Sequence, residues 1–294
     1  MKQSPEVSGD KALSFLPTNQ RKIKPRSHGI TEISGPYYSP MGSRYLADLF
    51  ETMGTYVDSL KFAAGSFTHF SEVELQKIIR LCHEHHVLVS RGRFIEYVVM
   101  RGRVYGPKYL EGCPRLGFYI VEISSGFITL PFDDWLRLVE QTQKAGLKEK
   151  PEVEIRFEAG GATSAEELEA QGTRDPACVT QLAKRFIDAG AYMIVIESEG
   201  ITESVKAWCT DVPARIVSGL GLEKVMFEAA DPPVFSWYIK NYGPDINLFM
   251  DHSQIVQLEC LRSGIWGTAD TWGDCQLQAA LMQTGAFPAT FKEV

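Results

Sequence analysis

Short apolar runs alternate with longer segments of helical spacing along most of this chain. The apolar runs predict eight strands, at Gly29–Ser34, Val57–Ala63, Val87–Arg91, Tyr119–Ser124, Val153–Glu158, Tyr192–Ser198, Lys224–Ala229 and Ile246–Met250. Between them, apolar residues recur at three- and four-residue intervals, and glycines such as Gly54 and Gly146 follow as stop signals. Such regular alternation predicts parallel strands joined by helical crossovers.

Eight strand and helix units in residues 26–267 favour a closed barrel over an open sheet. No Gly-x-Gly-x-x-Gly follows the first strand, so the main signal of a dinucleotide-binding open sheet is missing. We therefore predict a single-domain (β/α)8 TIM-type barrel. A flexible tail at residues 1–25 would precede it, and a short extension at residues 268–294, with a helix at Asp274–Met282, would follow.

Composition narrows the class of protein. The 294 residues are 44% hydrophobic, which is ample for a buried core, and the net charge of −7 argues against a nucleic-acid partner. The six cysteines are scattered without a Cys-x-x-Cys motif, as in a reducing compartment, and no apolar run approaches the roughly 20 residues of a membrane span. These features predict a cytoplasmic protein that binds no membrane, and its local arginines leave a small anionic substrate as the expected partner.

Four of the strand-like runs end on a glutamate: Glu122, Glu158, Glu197 and Glu228. In a barrel, the carboxyl ends of the strands meet at the face where catalytic groups lie. Crowded carboxylates raise one another's pKa or require a cation, and a hard ion with oxygen ligands suits them. We predict that these four residues hold Mg²⁺. A structural ion-pair network that closes the top of the barrel remains an alternative.

The period of two along a strand orients the neighbouring side chains. In the predicted fifth strand, Val153, Ile155 and Phe157 share the face expected to meet the helices. Arg156 and Glu158 then point into the barrel, and the same pattern turns Lys61 of the second strand inward. Lys61, Arg156 and Glu158 are therefore the candidate catalytic residues.

Anion-binding candidates follow the third and eighth strands. Arg91 and Arg93 flank Gly92, and guanidinium groups next to a glycine turn suit phosphate or carboxylate. Asn247 and His252 lie in or just after the last strand. We predict that these four side chains contact the substrate, although solvated loop positions would give the two arginines the same pattern.

Several segments across the barrel carry a family resemblance, and they are Gly29-Ile30-Thr31, Val57 to Phe62, Val121 to Ser124, Asp188 to Tyr192, Val225 to Ala230, Asn247-Leu248 and Leu258 to Arg262. In order and spacing, from about Arg26 to Gly267, they resemble the phosphosulfolactate synthase family, which includes plant heat-stress-associated proteins. Tyr242-Gly243-Pro244 and Asp251 to Gln254 look closest to the plant branch.

The resemblance implies a (β/α)8 enzyme, expected to be a homo-oligomer, that uses Mg²⁺ to add sulfite to phosphoenolpyruvate. Sulfite attacks the methylene carbon, a divalent ion stabilises the enediolate-like charge, and a general acid protonates the neighbouring carbon. Glu122, Glu158, Glu197 and Glu228 match the family's strand-end glutamates, and Lys61 matches its strand-two lysine.

The chain also departs from the family pattern. The synthases follow the strand-five glutamate with Val-Gly-Lys-Lys, whereas Ala159-Gly160-Gly161 follows Glu158 here. Their Pro-Gly-Gly-Thr after strand three is replaced by Ser90 to Arg93, and their Glu-Gly-Arg after strand six by Glu197 to Gly200. The proton donor would then be Lys61 or a loop histidine such as His69. Sulfite addition, another reaction at the same ion and a non-catalytic stress-related role all remain open.

Overall fold

The structure of the protein, a computed structural model, describes residues 12–16, 18–37, 39–161 and 163–266. The extension predicted at residues 268–294, including the helix at Asp274–Met282, lies outside the described residues, as do residues 1–11 of the predicted tail.

Eight strands form one closed sheet. They are β1 (Thr31–Ser34), β2 (Ser59–Phe62), β3 (Leu88–Arg91), β4 (Ile120–Ile123), β5 (Lys148–Val153), β6 (Ile194–Ile196), β7 (Val225–Glu228) and β8 (Asn247–Met250). Each strand pairs in parallel with the next along the chain, and β8 pairs with β1 to close the barrel. The predicted (β/α)8 TIM-type barrel is therefore confirmed.

Helices surround the strands. Within the described residues they are α1 (Ser43–Met53), α2 (Glu72–Glu84), α3 (Phe94–Met100), α4 (Tyr105–Leu116), α5 (Phe132–Lys144), α6 (Ala165–Gln171), α7 (Pro176–Asp188), α8 (Asp211–Leu220), α9 (Pro232–Tyr242) and α10 (Ile255–Arg262). Side chains cap the amino-terminal ends of several helices. The Ser71 hydroxyl accepts a hydrogen bond from the Glu74 amide at the start of α2, and the Asp175 carboxylate accepts one from the Ala177 amide at the start of α7. None of these helices is long and apolar enough to cross a membrane.

The fifth strand corrects the sequence prediction. It runs from Lys148 to Val153 rather than from Val153 to Glu158. Lys150 and Glu152 occupy its inward positions and Pro151 lies between them, so the segment lacks the apolar alternation that marks a strand and carries a residue that sheets disfavour. Val153, Ile155 and Phe157 imitate a strand, but only Val153 belongs to one.

The two faces of the barrel sheet lie in different environments. Outward residues such as Leu60, Val121 and Phe227 are fully buried in an apolar layer beneath the helices. Inside the barrel, a small cluster of Ile30, Met193 and Met226 is apolar, but most of the inward positions beyond it are charged or polar. This interior differs from the layers of branched aliphatic side chains that usually fill such barrels.

Asn247 ties strands together at the amino-terminal end of the barrel. Its amide oxygen accepts a hydrogen bond from the Ile30 amide (2.9 Å), and its nitrogen donates to the carbonyls of Leu222 and Val225, both at 2.9 Å. The side chain is fully buried. The structure thus places this predicted substrate contact at the end of the barrel opposite to Glu228, where it satisfies backbone groups.

Part of the predicted tail also reaches this end. The Asn19 amide donates to the Ser263 carbonyl (3.1 Å), and Arg21 pairs with Glu259 of α10 at 3.0 Å. Residues 18–25 therefore contact the barrel rather than extend away from it.

We predict that Asn247→Ala lowers the free energy of unfolding by about 3 kcal/mol, because it leaves a buried amide and two carbonyls unpaired. Urea denaturation followed by circular dichroism measures the change. Asn241→Ala is the control, since the exposed Asn241 side chain bonds only the carbonyl of Trp237 one turn earlier, and we expect a loss below about 0.5 kcal/mol. Equal losses in the two variants would contradict the structural role of Asn247.

Candidate functional site

Lys61 crosses the interior of the barrel. Its Nζ donates to Glu122 Oε2 of β4 (3.1 Å) and to Glu228 Oε1 of β7 (2.8 Å). Burial alone would lower the pKa of this lysine, but the surrounding carboxylates outweigh burial and raise it well above its usual value. Lys61 is therefore a fixed positive charge, turned inward as the period of two predicts.

A second lysine lies deeper. Lys150 of β5 pairs with Glu32 of β1 and approaches Glu122 Oε2 at 3.4 Å. The hydroxyls of Ser59 and Ser90 donate to Glu32 Oε1 at 3.0 and 2.7 Å. Burial opposes ionisation of Glu122, but Lys61 and Lys150 outweigh it and hold the pKa of this carboxyl well below its usual range. Lys150 and Lys61 therefore neutralise the two deeper carboxylates, Glu32 and Glu122.

Arg93 supplies the third interior cation. It follows β3 in the left-handed region of backbone space (φ +32°), and its amide donates to Glu122 Oε1 at 3.1 Å. Its Nη2 pairs with Glu152 of β5 and with Glu197 Oε2 at 2.9 Å. The guanidinium therefore links three of the strand regions at the carboxyl-terminal end of the barrel.

Three carboxylates converge beside this arginine, and we call Glu152, Glu197 and Glu228 the acidic triad. One oxygen from each lies within 4.8 Å of the others. Burial, only partly offset by Arg93, raises the pKa of Glu152 well above its usual value and also raises that of Glu197. Burial and repulsion from Glu197 raise the pKa of Glu228 to about 7. The triad therefore resists full ionisation.

The charges inside the barrel do not balance when every group is ionised. Among the described residues, five inward carboxylates stand against three cations: Glu32, Glu122, Glu152, Glu197 and Glu228 against Lys61, Arg93 and Lys150. The deep lysine and Lys61 satisfy Glu32 and Glu122, so the excess negative charge falls on the acidic triad. Bound protons or an added cation must compensate for it.

Arg91 lies on the other side of the sheet. Its guanidinium contacts the Cys113 thiol and stacks over the rings of Tyr109 and Phe118, at 4.3 and 4.5 Å from their centroids. Only 2% of the residue is exposed. The alternation of the strand turns Ser90 inward and Arg91 outward, so the structure places this predicted substrate contact in the helix layer, away from the acidic triad.

Arg156 and Glu158 follow β5 rather than form its inner face. Arg156 forms an isolated antiparallel bridge with Thr173, and its side chain packs beneath Gly200, where an added Cβ would collide with it. Glu158 is exposed and has a positive φ of 59°. The correction of β5 thus replaces Glu158 by Glu152 at the carboxylate cluster.

The two histidines of interest lie apart from the triad. His252 begins a 3-10 turn after β8, with Nδ1 3.7 Å from Asp251 and its ring 5.2 Å from that of Tyr45. His69 is exposed at the end of the 3-10 helix Ser66–His69. His252 therefore borders the carboxyl-terminal rim, whereas His69 faces solvent.

The long segment after β5 contains the short helix α6. α6 begins after Ser164, whose hydroxyl accepts a hydrogen bond from the Glu167 amide, while the Glu167 carboxylate bonds back to the Ser164 amide. Before this helix, the Gly160 amide donates to Glu199 Oε2 at 2.6 Å and connects the loops after β5 and β6.

Sequence reasoning missed Glu32, Lys150 and Glu152. The available signal was the charged face of Lys148, Lys150 and Glu152 at a period of two, in the only gap long enough for a strand before the helical pattern of α7. An inward row of charges is compatible with a strand only where opposite charges face it across the barrel.

Solved structures share the fold. The carboxyl transferase domain of Rhizobium etli pyruvate carboxylase with 3-bromopyruvate aligns at a TM-score of 0.52 and 12% identity, over 77% of this chain and 40% of that one. The complete multifunctional pyruvate carboxylase of the same organism aligns at a TM-score of 0.51 and 10% identity, over 77% of this chain and 23% of that one. This chain spans less than half the length of either structure, and the likeness concerns the barrel alone.

Sequence relatives cover nearly the whole chain. Protein HEAT-STRESS-ASSOCIATED 32 of Arabidopsis thaliana is 35% identical over 85% of this chain and 91% of its own length. The phosphosulfolactate synthase of Methanothermobacter thermautotrophicus is 26% identical over 90% of this chain and 99% of its own, and that of Methanocaldococcus jannaschii is 23% identical over 78% and 89%.

A sequence model of the family described as (2R)-phospho-3-sulfolactate synthase (ComA) matches residues 19–268, which include every strand and every interior charge described above. The resemblance stated from the sequence is confirmed, and the chain belongs to the (2R)-phospho-3-sulfolactate synthase family.

Proposed function

We propose that this protein is a divalent-cation-dependent enzyme of the carbon–sulfur synthase type, acting on phosphoenolpyruvate or a related small anionic enolate precursor, with sulfite as the nucleophile. The observation that carries the proposal is the acidic triad, three buried carboxylates with oxygens within 4.8 Å at the end of the barrel where catalytic groups of this fold lie. A homo-oligomer in the cytoplasm is part of the same proposal.

The donor set of the triad fits a hard divalent ion such as Mg²⁺. Three oxygens bound at about 2.1 Å around one such ion lie roughly 3 to 4 Å apart, so small side-chain movements suffice. The raised pKa values of Glu152, Glu197 and Glu228 express the repulsion that such an ion would relieve. An ion there would stabilise negative charge that develops on the carboxylate of the substrate.

Two basic side chains, Lys61 and Arg156, would bind the anionic substrate. Because the pKa of Lys61 is raised well above its usual value, this side chain retains its proton, and it serves better as a fixed charge for the substrate anion than as the proton donor. The Arg156 Nε is buried and has no hydrogen-bond partner within the described ranges, so it suits an anionic oxygen from the substrate.

A non-catalytic role is the second candidate, and one observation favours it. The heat-stress-associated relative is 35% identical, against 26% and 23% for the two synthases. The lysine pair of the family's synthases after strand five is also missing, since Gly161 and Ala162 stand at those two positions. In that role the same interior would serve as an ion-pair network that holds the barrel closed.

We predict that Glu152→Gln weakens Mg²⁺ binding at least tenfold, because it removes a charged ligand from the triad. Glu158→Gln, which alters an exposed carboxylate after β5, should leave the affinity within about twofold of the wild type. Isothermal titration calorimetry with MgCl₂ measures both. Loss of binding in Glu158→Gln with retention in Glu152→Gln would restore the ligand set expected from sequence.

The pH dependence of stability provides a second prediction. The ordinary pKa of Glu228 is 4.5 and the folded value is about 7, so the native state binds an extra proton between these values. The stabilisation is therefore complete below about pH 4.5 and is lost as pH rises through 7, to an extent of up to about 3 kcal/mol. Without divalent ions, Glu228→Gln should show a smaller decrease than the wild type in urea denaturation between pH 4.5 and 8.

The exposed Glu140→Gln is the control for this measurement, and it should follow the wild-type pH profile. Saturating MgCl₂ should restore stability at pH 8 in the wild type, because an ion replaces the lost proton. Identical pH profiles for Glu228→Gln and the wild type would show that the carboxyl does not titrate in this window.

The reaction itself is tested by product analysis. Incubation of the protein with phosphoenolpyruvate, sulfite and Mg²⁺ should give a new anion with the combined mass of phosphoenolpyruvate and bisulfite, detected by mass spectrometry. The Glu152→Gln variant should give none. Metal-dependent binding of phosphoenolpyruvate without this product would indicate another reaction at the site, and absence of any metal or ligand binding would favour the non-catalytic role.

A further inference from the structure

Arg93 contacts two of the three carboxylates that a divalent ion at the acidic triad would need. Its Nη2 lies 2.9 Å from Glu197 Oε2 and also contacts Glu152, so one nitrogen bridges two of the three carboxylates of the acidic triad. A guanidinium that holds these carboxylates competes with a metal ion, because both are cations that bind carboxylate oxygens and each repels the other at this distance.

The same side chain is incompletely satisfied. Arg93 is about nine-tenths buried, yet its Nη1 has no hydrogen-bond partner among the residues that the structure describes. A buried donor without a partner costs about 1 to 3 kcal/mol. This cost makes the position of the guanidinium on the triad less stable relative to positions away from it. The unpaired Nη1 also remains available to an anionic oxygen.

Loops enclose the guanidinium from outside the barrel. The Phe127 ring lies 4.9 Å from its central carbon, and a Cβ added at Gly126 or Gly160 would collide with the Nη atoms. Backbone of the loops after β4 and β5 therefore packs directly on Arg93. Both loops are tied to buried carboxylates, the first through the Phe127 amide to Glu96 (2.8 Å) and the second through the Gly160 amide to Glu199 (2.6 Å).

We propose that Arg93 is a tethered competitor of the metal ion: its guanidinium occupies Glu152 and Glu197 until an anionic substrate draws it away, so that ion and anion bind cooperatively. The inference rests on the proposed function and adds a residue that controls it. The ion binds only when Arg93 has left Glu152 and Glu197. If few molecules are in this state, the apparent affinity for the ion falls in proportion to their fraction, and an anion that favours the state restores the affinity. Linkage requires the effect to be reciprocal.

The test is calorimetric titration of the full chain with MgCl₂, with and without inorganic phosphate as the anion. Arg93→Gln removes the competitor, and we expect it to bind Mg²⁺ at least tenfold more tightly than the wild type. Phosphate should tighten Mg²⁺ binding in the wild type and should do so by a clearly smaller factor in Arg93→Gln. Arg174→Gln is the matched control, because it removes the same charge from an arginine that pairs with buried Glu154 at 3.1 Å, outside the triad. Its Mg²⁺ affinity should stay within about twofold of the wild type.

The outcomes separate the inference from the proposed function. If the wild type binds Mg²⁺ and Arg93→Gln binds it equally or more weakly, Arg93 is a structural counter-charge and the inference fails, whereas the metal site stands. If neither protein binds Mg²⁺, the inference and the proposed metal site both fail. A similar gain in Arg174→Gln would mean that charge alone, not competition, sets the affinity.

Arg93→Lys covers the case in which Arg93→Gln does not fold, as judged by circular dichroism. Lysine keeps the charge but lacks the planar fork, so it holds the two carboxylates less firmly, and we expect a gain in Mg²⁺ affinity of roughly threefold over the wild type. An unchanged affinity in Arg93→Lys would overturn the inference.

Discussion

Neutralisation of carboxylates inside a closed barrel is the constraint on which this structure depends. A barrel of eight strands encloses room for side chains only, so each inward charge must find its partner across the interior. Lys150 reaches from β5 to Glu32 of β1, and Lys61 reaches from β2 to Glu228 of β7. Removal of one member of a buried pair typically costs about 3 to 5 kcal/mol. The groups that hold opposite walls of the barrel together are therefore also the groups that shape the site.

The fold and part of the site could be predicted because they rest on periodicity. Alternation of strands and helices gave the barrel, the period of two within the second strand placed Lys61 inward, and the positions of the strand ends placed Glu122, Glu197 and Glu228 at the carboxyl-terminal face. The prediction of the fifth strand was wrong because this strand lacks such a pattern. Its inner face is charged because its partners come from β1 and from the turn after β3, which no local pattern can reveal, and Pro151 interrupts it. Glu158 was chosen since the residues before it alternate as a strand would, although they lie beyond the end of β5.

The two arginines beside Gly92 show the same limit at single-residue scale. Arg91 is the last residue of β3, so the alternation of the strand sends it outward among Tyr109 and Phe118. Two residues later the backbone has left the strand, and the left-handed conformation at Arg93 directs its side chain to Glu152 and Glu197. Sequence suggested one shared role for these residues. Tertiary structure places Arg91 against aromatic rings and Arg93 against carboxylates.

An ion-pair network and a metal site were alternatives at the level of sequence, but the charges inside the barrel do not make them exclusive. The lysines neutralise the deeper glutamates, and Arg93 pairs with two members of the acidic triad, yet the interior still carries more carboxylates than cations. The network alone is therefore incomplete at neutral pH, and protons on groups such as Glu228 must complete it when no ion is bound. The acidic triad supplies the carboxylates that can attract an ion. The cations that share the interior, Arg93 among them, pair with these carboxylates and oppose that attraction, so the barrel fold does not by itself determine the chemistry of the site.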